Sequence, residues 1–202
     1  MPVRIVGGTL RDLSYVASRL RPDDHAEVSC QIPGWTPAGL ALSALQGFAY
    51  CVELDGNPEA AFGAREQRTG LWIIWAWGSH RMWRCVPAIK RFCLEVLMPD
   101  VLNAGALRGE ARALASHKSA HTLLRHLGAT RRCELPRYGT GGETFILWDW
   151  TIDDVLFLNT GDAEDAAAAN PSLGHNGGGA AARGGRACAH GYGRWNGRDR
   201  ED

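Results

Sequence analysis

The pattern of apolar and polar positions is broken by one unmixed run, Leu71-Trp72-Ile73-Ile74-Trp75-Ala76-Trp77-Gly78. Its Trp and Ile content predicts a strand buried on both faces at the centre of a sheet, with Trp75 and Trp77 on one face and Trp72 and Ile74 on the other. Past Gly78 and Ser79 the period changes. Met82, Val86, Ile89, Cys93, Val96 and Leu97 recur at helical spacing, with Arg84, Lys90, Arg91 and Glu95 mostly between them. A strand feeding an amphipathic helix through a glycine turn is half of a βαβ unit, and in many α/β folds such a turn is where a phosphate binds.

The same reading extends in both directions. Val3 to Gly8 is a short strand, and Thr9 caps a helix whose stripe is Leu10, Leu13, Val16, Ala17 and Leu20. Pro22 opens another helical turn, and Thr36-Pro37 starts a helix running to about Gln46. Strands at 48–54 and 59–64 flank the turn Asp55-Gly56-Asn57-Pro58. Met98-Pro99-Asp100 is expected to stop the central helix. A strand at 111–115, a helix at 119–127 closed by Gly128, and strands at 130–135 and 143–150 complete a mixed α/β domain over residues 1–158. From Asn159 the chain turns to Ala, Gly, Asn and Arg, with almost no large apolar residue before Tyr192 and Trp195. Such a segment buries too little surface to offset its ordering entropy. Residues 159–202 are therefore expected to be a low-complexity tail, disordered unless a partner binds it, with Tyr192, Arg194 and Trp195 as the partner-binding anchors.

Composition narrows the classes. A chain of 202 residues, 45% hydrophobic and 22% charged, suits one globular domain with an appendage. Lys+Arg 22 against Asp+Glu 22 removes any bulk electrostatic case for nucleic acid or an anionic membrane. No apolar run approaches the ~20 residues of a membrane helix, and Met1-Pro2-Val3-Arg4 opens no signal-peptide core. Six cysteines without a CxxC pair read as reduced, mostly buried thiols in a cytosolic setting.

The element order βααβββαβαββ resembles the GNAT (GCN5-related N-acetyltransferase) fold. The segment Ser116 to Ala129 resembles its second signature: Ala120 and Gly128 fit, while His117 stands for the leading Asn, Leu124 for the Tyr and Ala129 for the Phe. Closer still is a resemblance, over Val3 to Trp150, to GNAT-like internal virion proteins of short-tailed, podovirus-type bacteriophages. It is carried by Arg21-Pro22-Asp23-Asp24-His25-Ala26-Glu27, by the hairpin Glu53 to Gly63, by the turn Trp77-Gly78-Ser79 and by the helix at 116–128. That resemblance implies a virion assembly protein, present in the particle and in the host cytoplasm during assembly. Its partners would be connector, portal, tail or internal proteins, in a homo-oligomeric ring or a hetero-assembly. The alternative is an active acetyl-CoA-dependent N-acetyltransferase on a protein or small amine.

Two features favour loss of acetyl transfer and no cofactor. The loop of this fold wraps a pyrophosphate with bare amides, but here it reads His80-Arg81-Met82-Trp83-Arg84-Cys85-Val86-Pro87, with no Gly after Gly78 and a Pro that donates no N–H. Leu124 cannot act as the acid that the family's Tyr provides. Should acetyl-CoA bind, Gly78, Ser79, Arg81 and Arg84 are its candidate contacts. No catalytic residue and no metal site is assigned. His117 and His121 stand at i,i+4 without a third ligand and read as surface. Asp23, Asp24, His25 and Glu27 admit an acid/base cluster but suit a helix start paired with Arg19 or Arg21. Cys85 and Cys93 read as core, and Tyr138 to Gly142 as a hairpin turn.

Overall fold

The computed structural model describes residues 2–152. Among them, seven strands form one sheet in the order β1-β2-β3-β4-β5-β7-β6: β1 Val3–Gly7, β2 Phe48–Leu54, β3 Asn57–Arg68, β4 Leu71–Gly78, β5 Arg108–Leu114, β6 Thr130–Leu135 and β7 Phe145–Thr151. Every pairing is antiparallel except that of β4 with β5. The apolar run is β4, fourth of the seven strands.

Helices α1 (Leu10–Ala17), α2 (Pro22–Gln31) and α3 (Pro37–Ala44) precede β2. They cover one face of the sheet, where Leu13, Val16, Val28 and Leu40 pack on Cys51, Ala61 and Trp77. Helices α4 (Val86–Phe92), α5 (Met98–Asn103) and α6 (Lys118–His126) cover the other, packing Ile89, Leu97, Leu123 and Leu124 on Phe62, Trp72 and Trp148. The side chains of β4 divide as its alternation demands. Trp75 and Trp77 stack on each other, 5.5 Å between centroids, on the first face, and Trp72 and Ile74 lie on the second.

Local chemistry accounts for most element ends. Thr9 and Thr36 cap α1 and α3 by accepting from the N–H of Asp12 and of Gly39, each at 3.1 Å. α2, α3, α4 and α5 each carry a proline in the first turn, where no donor is needed. Gly128 closes α6 at φ +78°, the left-handed conformation expected of it.

Three expectations need correction. The segment after Pro22 is a helix of 10 residues rather than a single turn, and β3 runs on to Arg68. The helix after β4 does not stop at Pro99. It widens into a π-helical turn over Cys93–Leu97, closed by the Met98 N–H on the Cys93 carbonyl, and resumes as α5 with Pro99 in that segment's first turn. No helix among the described residues is long and apolar enough to cross a membrane.

Cys30, Cys51, Cys85 and Cys93 are free thiols. Burial pushes the Cys51 and Cys93 thiols up to about 12. Both are expected to stay protonated at pH 8 and to resist iodoacetamide in the native protein, as peptide mass spectrometry can check. A Trp77→Ala variant should lose about 3–5 kcal/mol in denaturant melts. Trp75→Ala should lose less, because the Trp75 ring is only partly buried.

Candidate active site

β4 and β5 start side by side and then part. Only Leu71↔Arg108, Trp72↔Gly109 and Ile73↔Glu110 are bridged between them. Past these pairs β4 stays paired to β3 as far as Gly78, and β5 to β7 as far as Leu114. A wedge therefore opens in the middle of the sheet, and a cavity of about 420 Å³ passes through it. On the α4–α6 face its walls are apolar, with Ile74, Met82, Ile89, Cys93, Leu97 and Leu124. On the α2 face they are mixed: Arg21, Asp24, Glu27, Arg65, Arg112 and His117 line it beside Val28, Leu40, Trp75 and Trp77.

The open end is spanned by the first two turns of α2. The N–H of Arg21 donates to the Gly78 carbonyl at 2.9 Å, and Asp24 Oδ2 accepts the Gly78 N–H at 2.8 Å. One turn further, Glu27 Oε2 accepts the N–H of Leu114, the last residue of β5, at 2.8 Å. Residues three apart on a helix share a face, so Asp24 and Glu27 reach the two separated strands from one side of α2.

His117, 2% exposed, completes the group from the loop before α6. Its Nδ1 lies 3.0 Å from Glu27 Oε2, and its Nε2 lies 3.3 Å from Asp24 Oδ1 and 3.4 Å from Arg21 Nη2. With Nδ1–H donated to Glu27, Nε2 faces a guanidinium that donates and a carboxylate that accepts. Burial raises the pKa of Asp24 above its ordinary value, against the pull of Arg21, the Gly78 N–H and His117. The 3.3 Å contact is too poorly aligned for a hydrogen bond, so Asp24 Oδ1 is buried with no bonded donor among the described residues.

The turn after Gly78 is closed on itself. Glu59, 1% exposed, accepts from the Ser79 hydroxyl and from Arg81 Nη1 at 2.9 Å, while its carbonyl takes the Ser79 N–H. Arg81 Nη2 reaches Asp55 at 3.1 Å. The amides of Arg81, Met82, Arg84 and Cys85 donate to Ser79 Oγ and to the carbonyls of Ser79, Arg81 and Met82 respectively. Met82, 1% exposed, fills the space beside Gly78, where an added Cβ would come within 2.9 Å of its Cβ and sulfur. Of the four residues expected to meet acetyl-CoA, Gly78, Ser79 and Arg81 are thus engaged within the chain. The Arg84 guanidinium lies over the exposed Trp83 ring, 5.5 Å from its centroid.

Other expected residues are dispersed. The His121 ring points away from His117: Nδ1 accepts from Trp148 Nε1 at 3.1 Å, which leaves Nε2–H for the Ala115 carbonyl at 3.2 Å. Asp23 and His25 take no part in the group at the wedge, whereas Asp24 pairs with Arg21 as expected. Tyr138 stands at the polar mouth with its hydroxyl 2.9 Å from Arg112 Nη1. Tyr192, Arg194 and Trp195 lie outside the described residues. The grouping of Asp24 and Glu27 with His117 was missed from sequence. The available signal was the pair of acids three apart, together with a His where the helix signature carries Asn.

No protein-family model and no curated protein sequence matches the chain. Solved structures do. The ribosomal-protein-S18-alanine N-acetyltransferase from Escherichia coli superposes with TM-score 0.55 at 16% identity, over 75% of this chain and 94% of that one. YncA from Salmonella typhimurium, solved with its cofactor acetyl-CoA, gives 0.56 at 11%, over 75% and 94%. AAC(6')-Ib, in complex with ribostamycin and coenzyme A, gives 0.55 at 13%, over 76% and 96%.

These neighbours correct the expectation of a cofactor-free bacteriophage virion protein that has lost acetyl transfer. They are acetyltransferases, two of them solved with acetyl-CoA or coenzyme A, and nothing found points to a phage particle or to virion partners. The physical reason is that the composition of one turn bears on only part of the cavity, while the wedge between β4 and β5 leaves no mark in the sequence. The chain has the fold of the GNAT acetyltransferases.

Proposed function

We propose that the chain is an acyl-CoA-dependent N-acyltransferase acting on a primary amine. The observation that carries this reading is the cavity through the sheet, apolar on one face and carrying an ionisable group on the other. An extended arm with its own amides, such as pantetheine, can add to the edge of β4 left open past Ile73 as a further strand would. Its carbon atoms then meet Ile89, Leu97 and Leu124. The diphosphate end fits less closely, because the amides of Ser79, Arg81, Met82, Arg84 and Cys85 are engaged within the chain. It would be met by the side chains of Arg84 and His80.

When bound, a thioester supplies the activated acyl carbon; the chain supplies position and proton transfer. Asp24 Oδ1, buried without a bonded donor, offers an acceptor to an N–H of the amine. That free acceptor is why an amine is preferred to an acidic acceptor. Glu27 lines the cavity, and its Oε1 has no hydrogen bond among the described residues. It takes the proton that nitrogen loses as the C–N bond forms and the C–S bond breaks, becoming a neutral acid, while His117 holds its other oxygen in place. Leu124 supplies no proton to the departing sulfur. A thiol has a pKa of about 8.5, so a thiolate leaves tolerably near neutral pH, and a missing acid slows the reaction without abolishing it.

Two measurements test this. Calorimetric titration of the full chain with acetyl-CoA should show binding in the micromolar range. Thiol release with an amine panel (an N-terminal alanine peptide, a lysine peptide, spermidine, an aminoglycoside) should find an acceptor. Glu27→Gln keeps an oxygen for the Leu114 N–H, so the fold should hold while kcat falls by roughly 10²–10⁴. Absence of both binding and thiol release would remove the reading, and an unchanged kcat in the variant would remove Glu27 from it.

A further inference from the structure

The apolar half of the cavity does not end where an acetyl group would need it to. Ile74, Cys93, Leu97 and Leu127 wall the through-sheet cavity on one side and a second void of about 40 Å³ on the other. One water needs about 10–15 Å³ in this measure, so the void holds roughly three water-sized groups. Val101, Leu102, Gly109 and Trp150 line its far side, and it opens toward the exposed Leu107 and Ile152. Water would find few partners there, whereas methylene groups would be at home.

Gly109 strengthens the case. It sits inside β5 at the centre of the sheet, bridged to Trp72 of β4 and to Trp150 of β7. A glycine within a strand weakens it and often marks a close approach of backbone or ligand. Here no steric demand requires one. A Cβ at this position would lie 3.4 Å from Ile74 Cγ1, 3.5 Å from its Cδ1 and 3.6 Å from Trp150 Cε3, all ordinary contacts, and the backbone is not in the left-handed region. What glycine provides is space between Ile74 and Trp150, beside the second void.

On the acyltransferase reading above, we infer that the donor carries an acyl group longer than acetyl, of about four to six carbons, whose tail passes Ile74 and Leu97 into the void beside Gly109. The test is a calorimetric titration of the full chain with acetyl-, butyryl- and hexanoyl-CoA. Burial of each added methylene should tighten binding roughly four-fold until the void is filled, so butyryl- or hexanoyl-CoA should bind best. Gly109→Ala, which the surrounding contacts admit without a clash, should reduce the advantage of the best longer chain over acetyl toward one, with the melting temperature confirming the fold. Acetyl-CoA binding at least as tightly as both longer thioesters would overturn the inference and leave the acyltransferase reading standing. Failure of all three to bind would overturn both. A longer-chain preference unchanged in Gly109→Ala would overturn the assignment of the tail to this void.

Discussion

Two carboxylates, three residues apart on one helix, hold the ends of two strands that have separated. Asp24 takes the last amide of β4 and Glu27 the last amide of β5. Both amides have lost the neighbour that a continuous sheet would supply, and a buried donor left unsatisfied costs about 1–3 kcal/mol. The gap can exist because α2 satisfies its rim. The same two side chains orient His117, and Asp24 draws Arg21 against the cluster, so the electrostatics of the cavity mouth follow from the clamp that keeps it open.

The fold was legible where one period dominates. The run Leu71 to Gly78 marks a central strand, its tryptophans sort to the expected faces, and Gly128 ends α6 as its position suggests. The wedge was not legible. Nothing in that run distinguishes Ile73, the last residue bridged to β5, from Ile74, because the divergence is a relation between two strands. The acid–histidine group was hidden for the same reason: His117 and Glu27 are 90 residues apart in sequence. Read locally, two acids at a helix start need no further explanation than the helix dipole. The continuation through Pro99 was hidden because a proline in the first turn of a resumed segment and a proline that ends a helix look alike in sequence.

The composition of the turn after Gly78 pointed away from a cofactor, and the structure explains why that inference was too broad. The amides of Ser79, Arg81, Met82, Arg84 and Cys85 are taken up within the chain, because Ser79, Arg81 and Met82 fold the turn into its own hydrogen bonds and Glu59 anchors it from β3. On the proposed reading, that concerns one end of an extended ligand. The other end depends on an open strand edge and an apolar wall, both set by tertiary arrangement. A shared fold leaves the chemistry to the site, and here the site is assembled from α2, β4, β5 and the loop before α6.

The π-helical turn at Cys93–Leu97 has a consequence for that wall. Ile89, Cys93, Leu97 and Val101 are spaced strictly by four, and all are buried. On a regular α-helix of 3.6 residues per turn, four-residue steps creep round the axis by about 40° each, or about 120° over three steps. The last side chain would then face away from the first. A wide turn placed between the second and third of these residues takes up part of that rotation. The ladder therefore runs on as one rail, with its upper rungs on the through-sheet cavity and its lower ones on the void behind it. Rewinding this turn to regular α-helical geometry with every residue kept would swing Val101 about 120° off the rail while leaving Ile89 where it is, so the depth of the cavity depends on the gauge of a single helical turn.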